Sequence, residues 1–364
     1  MSANPQKEQR VGPYPNMLVV EAAFVVFRNA IGSIGIMMNL FLMYCVVWKS
    51  PKPIKKAYRI ILGNSAAHDL FACVGLLLLQ PRLIPHDFVY LFIVDGPAKC
   101  LGSWVCYLLS IITFHCIASN FISYGVVYIY RLLTVTNEAP KLGRMKKVCL
   151  ASFLLTFALS VTYGFSYVDS SELIAYARKN MSGVDVSENP VVFGTDLSKN
   201  FAGYPMMAAL FIAIIPIFGV MVYVRHRANI FTKNKPLSEL TLSRHRMLMR
   251  VLTAQAVLPI IFIFPVLVLY ALYHTGLARL NFTEYAFFPM IASLHAINPF
   301  ITIYFMKPYA EVVRRIMHIK PTAIQPHDTS ASANHISSIT THQPLPNGHP
   351  LSGSPINAVI ESTV

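Results

Sequence analysis

Leu101–Tyr130 reads LGSWVCYLLSIITFHCIASNFISYGVVYIY, thirty residues without Asp, Glu, Lys or Arg, and Arg131 follows directly. At about 1.5 Å per residue, a helix of that length runs about 45 Å, enough to cross a bilayer with tilt to spare. It is not a plain apolar anchor. Ser110, Thr113, His115, Ser119, Asn120 and Ser123 run down it. Polar groups in hydrocarbon need partners, so this helix belongs inside a bundle rather than against lipid.

The surrounding chain agrees. It has 364 residues, 55% hydrophobic and only 13% charged, with a mean hydropathy of +0.52. A soluble domain carries about 25% charged residues. Six further apolar spans lie near residues 22–48, 58–79, 148–167, 201–224, 251–273 and 285–305, with 101–132 as the third of seven. The expected fold is an all-α membrane protein, a seven-transmembrane-helix bundle.

The net charge of +14 sorts by loop. The segments after spans 1, 3, 5 and 7 hold 21 of the 30 Lys and Arg against five acids. The opposite side holds nine bases and ten acids, and Asp69 sits within span 2. This asymmetry is a topology signal, not a nucleic-acid signal, and it predicts the N-terminus outside and the C-terminus inside. The two glycosylation sequons, at Asn180 and Asn281, fall on the predicted outer side. Residues 1–19 lack the apolar core of a cleavable signal peptide, so the first span reads as a signal anchor. Neither a myristoylation start nor a prenylation box is seen.

The predicted organisation is therefore an extracellular segment 1–19 and a seven-helix domain 20–307. An amphipathic juxtamembrane helix at 308–320 and a disordered cytoplasmic tail at 321–364 follow. The longest outer loop, about 168–200, opens with a capping box, Asp169-Ser170-Ser171-Glu172, predicting a short helix through Arg178. That loop has no Cys, so it cannot be tied to span 3 by a disulfide. Pro216, Pro259 and Pro265 predict kinks.

Several positions point to chemistry. Asn39, Asp69 and Asn298 fall near mid-membrane. An intramembrane carboxylate is costly and marks a functional site by default. They read as a polar switch coupling helix movements, the plainer reading being a hydrogen-bonded packing cluster. Arg131, with Tyr130, reads as an inner-face latch that meets a G protein together with Arg244 and Arg246. The plainer reading is a snorkelling anchor. Asn298-Pro299 marks a break in span 7, where Pro removes a backbone bond and Asn can repair it. His68, His115 and His295 with an Asp raise a zinc site, as in seven-helix membrane hydrolases, but no closely spaced His pair supports it. Ser362-Thr363-Val364 fits a PDZ ligand, with Ser362 and Val364 the deciding residues. A ligand pocket in the outer half, placed from depth alone, would be lined by Tyr107, Ser110, Phe114, Tyr204, Phe211, Tyr270 and Phe288, and would suit a small volatile or lipid-like molecule. No catalytic constellation, resident metal or cofactor is expected.

The order and spacing of several motifs resemble a known family. They are Gly63-Asn64-Ser65 with Asp69, Gly96-Pro97 before Cys100, and Tyr128-Ile129-Tyr130-Arg131-Leu132. Gln255-Ala256-Val257-Leu258-Pro259 and Asn298-Pro299 through Pro308-Tyr309 complete the set. Over about residues 20–318 the chain resembles nematode serpentine chemoreceptors of the Str superfamily, most closely class delta. The resemblance implies a G-protein-coupled receptor for chemical stimuli, multi-pass in the plasma membrane of a sensory neuron and its cilium. Compared with rhodopsin-like receptors, span 3 ends Tyr-Arg-Leu, span 6 has no Trp, and Thr302 stands four residues after Asn298. Span 7 has no Lys, which excludes a retinal Schiff base. Two alternatives stay open, a seven-helix membrane hydrolase with a zinc site and a ligand-gated channel or transporter, the latter without any visible internal repeat.

Overall fold

A computed structural model describes residues 15–50, 56–136, 140–181, 190–212, 214–234, 250, 253–255, 257–274 and 283–318. Seven helices long and apolar enough to cross a membrane stand at Glu21–Trp48, Lys56–Leu79, Ser103–Thr134, Leu142–Gly164, Phe201–Arg227, Thr253–Leu272 and Thr283–Phe305. The full elements are α1 (Pro15–Trp48), α2 (Lys56–Leu79), α3 (Ser103–Val135), α4 (Leu142–Gly164), α5 (Ser170–Asn180), α6 (Tyr204–Ile212) and α7 (Ile214–Asn234). They continue as α8 (Phe264–His274), α9 (Thr283–Phe305) and α10 (Lys307–Ile316). The chain divides into two units, residues 1–310 and 311–364. Of the second, Glu311–His318 are described. They are helical to Ile316, with Arg314, Arg315 and Ile316 exposed.

α3 is the central helix. It packs against α2, α4, α6 and α7, while α1 packs against α2 and α9. Its first turn starts at Ser103 because Gly102 adopts φ +84, a left-handed conformation that favours glycine.

Prolines set the breaks. In the fifth span Pro216 cannot donate to the carbonyl four residues back. In the sixth span a turn at Ile263 separates the two expected kinks, Pro259 and Pro265. In α9, Pro299 frees the carbonyl of His295, and Asn39 Nδ2 of α1 donates to it at 3.2 Å. The repair thus comes from span 1, not from the neighbouring Asn298.

One feature departs from an all-helical reading. Residues 81–94 form an antiparallel hairpin, β1 (Pro81–His86) and β2 (Val89–Val94), and β3 (Val192–Asp196) of the long loop adds to its edge. The register pairs Pro81 with Val94, and Phe92 with Phe193. Side chains alternate. Tyr90, Phe92 and Val94 join the helix-bundle core, whereas Val89, Leu91 and Ile93 join Leu173, Ala177 and Met181 around α5. A sheet covered on both faces needs apolar residues at every position, which explains the unbroken run VYLFIV.

α5 covers the second face and starts where the capping box predicts. Asp169 Oδ1 accepts from the Ser171 amide at 2.8 Å and from its hydroxyl at 2.5 Å. Those bonds hold the Asp169 carboxyl below the usual carboxylate range. β3 is held by main-chain bonds, not by a disulfide, and all six Cys are free. Gly194 permits the close pairing, since a Cβ there would strike the carbonyl oxygen of Tyr90.

Candidate functional site

Beneath the sheet the bundle forms an apolar pocket. The sheet contributes Leu83, Tyr90 and Phe92 to its wall, and α3 contributes Phe114, Ile117 and Phe121. Met207, Val266 and Leu267 close one side; Phe287, Phe288 and Ile291 of α9 close another. Apart from the Tyr90 hydroxyl and the Met207 sulfur, the named wall is hydrocarbon. Phe92, Phe114 and Phe288 pack ring to ring at 5.8–6.2 Å. The apolar wall suits a small apolar molecule.

Of the seven pocket residues expected from depth, Phe114 and Phe288 line this cavity. Tyr270 lines a smaller neighbour with Leu83, Glu284 and Phe287, and its ring stacks on Tyr90 at 6.4 Å. Tyr107 is turned into the core. Its hydroxyl donates to the Tyr163 carbonyl at 2.5 Å, and Ser110 donates to the Tyr107 carbonyl at 2.6 Å. Tyr204 stacks on Phe201 at 5.6 Å on an exposed surface. The side chain of Phe211 lies outside the described residues.

One helical turn below the cavity lies a polar cluster. Asp69 of α2 and His295 of α9 are both 0% exposed. A carboxylate only accepts, so the His295 Nδ1 hydrogen donates to Asp69 Oδ1, at 2.6 Å. Asn298 Nδ2 donates to Oδ2 at 2.8 Å, Tyr124 donates to Oδ1 at 3.4 Å, and Asn120 Nδ2 donates to Oδ1 as well. The four donors come from α3 and α9 and bind those helices to α2. Ser65 donates to Asn120 Oδ1 at 2.9 Å, and Asn64 donates to Ser123 at 3.2 Å. Gln255 of span 6 donates to Asn298 Oδ1 at 3.1 Å and to Thr302 at 3.2 Å. Among the described residues, Asn39 reaches the cluster only through the His295 carbonyl.

The geometry links cavity and cluster. Phe121 lines the cavity and its chain neighbour Asn120 meets Asp69. Ile291 lines the cavity and His295, four residues on, lies on the same face of α9. His68 takes a different course, with Nδ1 2.8 Å from the Asn64 carbonyl, and its ring lies 6.1 Å from that of His115. Among the described residues no three His, Cys, Asp or Glu side chains are grouped to hold a metal ion.

At the far end of α3, Arg131 is 3% exposed and Tyr130 is buried. Arg131 Nη2 donates to the Tyr58 hydroxyl at 2.7 Å, and Tyr58 stacks on Tyr130 at 5.7 Å. Tyr309 donates to or accepts from Ser50 at 2.8 Å, and Arg59 donates to the Val46 and Val47 carbonyls at the end of α1. Asn180 is the exposed last residue of α5. Arg244, Arg246, Asn281, Ser362 and Val364 lie outside the described residues.

A family model described as "Serpentine type 7TM GPCR chemoreceptor Srd" matches residues 24–315. The chain is 26% identical to "Serpentine receptor class delta-19" of Caenorhabditis elegans over 305 residues, 82% of this chain and 89% of that one. It is 28% identical over 291 residues to "Serpentine receptor class delta-18" of the same organism, covering 78% and 85% of the two chains. "Serpentine receptor class delta-33" is 24% identical over 312 residues, or 84% and 90%.

Proposed function

The chain belongs to the Srd family of serpentine seven-helix chemoreceptors, and from that premise we propose that it binds a small apolar molecule in the cavity under the sheet and signals through a heterotrimeric G protein. The observation that carries this reading is the single helical turn between the cavity wall and the Asp69 cluster, at Ile291 and His295. A ligand pressing on Phe121 and Ile291 acts on the two helices whose side chains donate to Asp69. It can shift the bundle only through unequal affinity for its states. The Arg131 end is then the G-protein side, with Tyr130, Arg244 and Arg246, and the sheet faces outward. That orientation agrees with the excess of Lys and Arg at the Arg131 end. The receptor is multi-pass, and its proposed site is the plasma membrane of a sensory cilium. A PDZ protein at Val364 is a further proposed partner.

The test is calcium imaging of cells expressing the receptor with a promiscuous G protein, screened with small volatile and lipid-like compounds. Val266→Phe, which intrudes on the cavity, should abolish the response while surface expression persists. A response unchanged in Val266→Phe, or a ligand-driven current in cells without G proteins, would sink the proposal.

A further inference from the structure

Between Ala22 and Trp48, span 1 carries one charged residue, Arg28. Its guanidinium is held inside the protein, 6% exposed. Nη1 donates to the Gln80 carbonyl at 3.0 Å and to Asp95 Oδ2 at 3.1 Å. Nε and Nη2 are buried and have no partner among the described residues. The two bare donors are not scattered. Nε and Nη2 form one edge of the planar group, the fork that meets a carboxylate through two parallel hydrogen bonds. A clamp between α1 and the sheet accounts for Nη1 and leaves that fork unexplained. Charged donors buried without an acceptor are unfavourable, so the fork calls for an anion.

The surroundings provide space. Arg28 forms part of the wall of a small cavity, with Gly32, Leu77, Phe288, Pro289 and Ala292. Gly32 lies one turn along α1, and a Cβ there would stand 3.0 Å from Leu77 Cδ1, so α1 and α2 pack closely beside this cavity. Phe288 is a wall of this cavity and of the larger one. Arg82 adds positive charge near Asp95 and is itself paired with Glu284 at 3.0 Å.

We propose that this cavity is the head-group subsite for an apolar acid. The carboxylate sits on Nε and Nη2 of Arg28, and the hydrocarbon chain runs along Phe288 toward the larger cavity. The inference names the chemical class for the receptor reading above and rests on it for its meaning in signalling, although binding itself does not.

Binding of radiolabelled decanoate to the full-length protein in zwitterionic nanodiscs, with no G protein present, tests it. Decanoate should bind saturably, and decanol should compete at least about tenfold more weakly, since a charged hydrogen-bond pair is lost. Arg28→Gln should weaken decanoate binding by a similar factor, and Arg28→Lys should restore only part. Asp95→Asn removes the competing carboxylate and should tighten binding several-fold, a sign that general loss of fold cannot produce. Ala292→Leu fills the cavity and should block binding. Where Arg28→Gln is not recovered folded, Asp95→Asn and Ala292→Leu decide. Equal binding of decanoate and decanol, or decanoate affinity unmoved by Asp95→Asn and Ala292→Leu, overturns the proposal. Arg28-dependent displacement of decanoate by phosphatidylserine in the disc assigns the fork to a lipid headgroup and overturns the free-acid form. Decanoate bound as described without any cellular response would sink the receptor reading alone. A cellular response to neutral ligands, with no decanoate binding, would sink the acid subsite alone.

Discussion

Arg131 donates to the Tyr58 hydroxyl at 2.7 Å, and its guanidinium carbon stands 5.7 Å from the centre of that ring. The same hydroxyl lies 3.8 Å from the sulfur of Met306, to which it donates. One phenol therefore ties the end of α3 to the segment after α9. Tyr58→Phe keeps the ring and removes the bond. A hydrogen bond to a charged group contributes about 1.5–3 kcal/mol, so the active fraction should rise by roughly tenfold or more. Ligand-independent signalling, normalised to surface expression, reads this out. An unchanged basal signal would leave Arg131 as an anchor only.

Asp69→Ala removes the acceptor of four buried donors. Breaking a buried network of this kind costs about 3–5 kcal/mol. Asp69→Asn retains one acceptor oxygen but points an amide N–H at existing donors, and should cost less, about 1–3 kcal/mol. The melting temperature in detergent should fall in the order wild type, Asn, Ala. Equal melting temperatures would mean that the cluster holds nothing together.

α2 and α3 approach closely at Gly75, where a Cβ would collide with Thr113 Oγ1 and stand 3.0 Å from its Cβ. Gly75→Ala should therefore destabilise by about 1–3 kcal/mol through overpacking. Thr113→Ala removes the hydroxyl and methyl nearest the clash, so the double variant should recover part of the loss. A double-mutant cycle on melting temperature measures the coupling. Strict additivity would contradict the close approach.

Asn180 ends α5 on the sheet side and is exposed. With that side outward, the wild-type protein should carry an endoglycosidase-sensitive glycan there, and Asn180→Gln should migrate faster on a gel. An unmodified Asn180, together with cytoplasmic access to it by a membrane-impermeant label, would reverse the proposed topology.

The seven spans are legible because hydropathy is a bulk property of twenty or so residues. The sheet is not. Residues 81–94 form short apolar runs, and such runs do not distinguish a buried strand from a helix segment or an outer loop. That gap explains the pocket assignment. Depth alone selects helix residues, so it finds Phe114 and Phe288 but omits Tyr90 and Phe92, which enter from β2. Depth also cannot show rotation about a helix axis, which is why Tyr107 turns into the core. The Asp69 cluster was readable from polar residues in apolar helices, yet His295 looked like a zinc ligand candidate when it is a donor to Asp69. Arg28 was visible only as one outer base among nine. Its unpaired edge is a property of geometry that no spacing encodes.

The roof of the cavity is held by main-chain ladders between β1, β2 and β3. Backbone bonds do not depend on which side chain each residue bears. Reductant should leave the roof closed, because there is no thiol linkage to cut. Tyr90 and Phe92 can also be exchanged for other apolar residues without unfastening it. The wall facing the ligand can therefore be retuned one residue at a time while the enclosure persists, a modularity that a roof closed by a single cross-link over an irregular loop lacks.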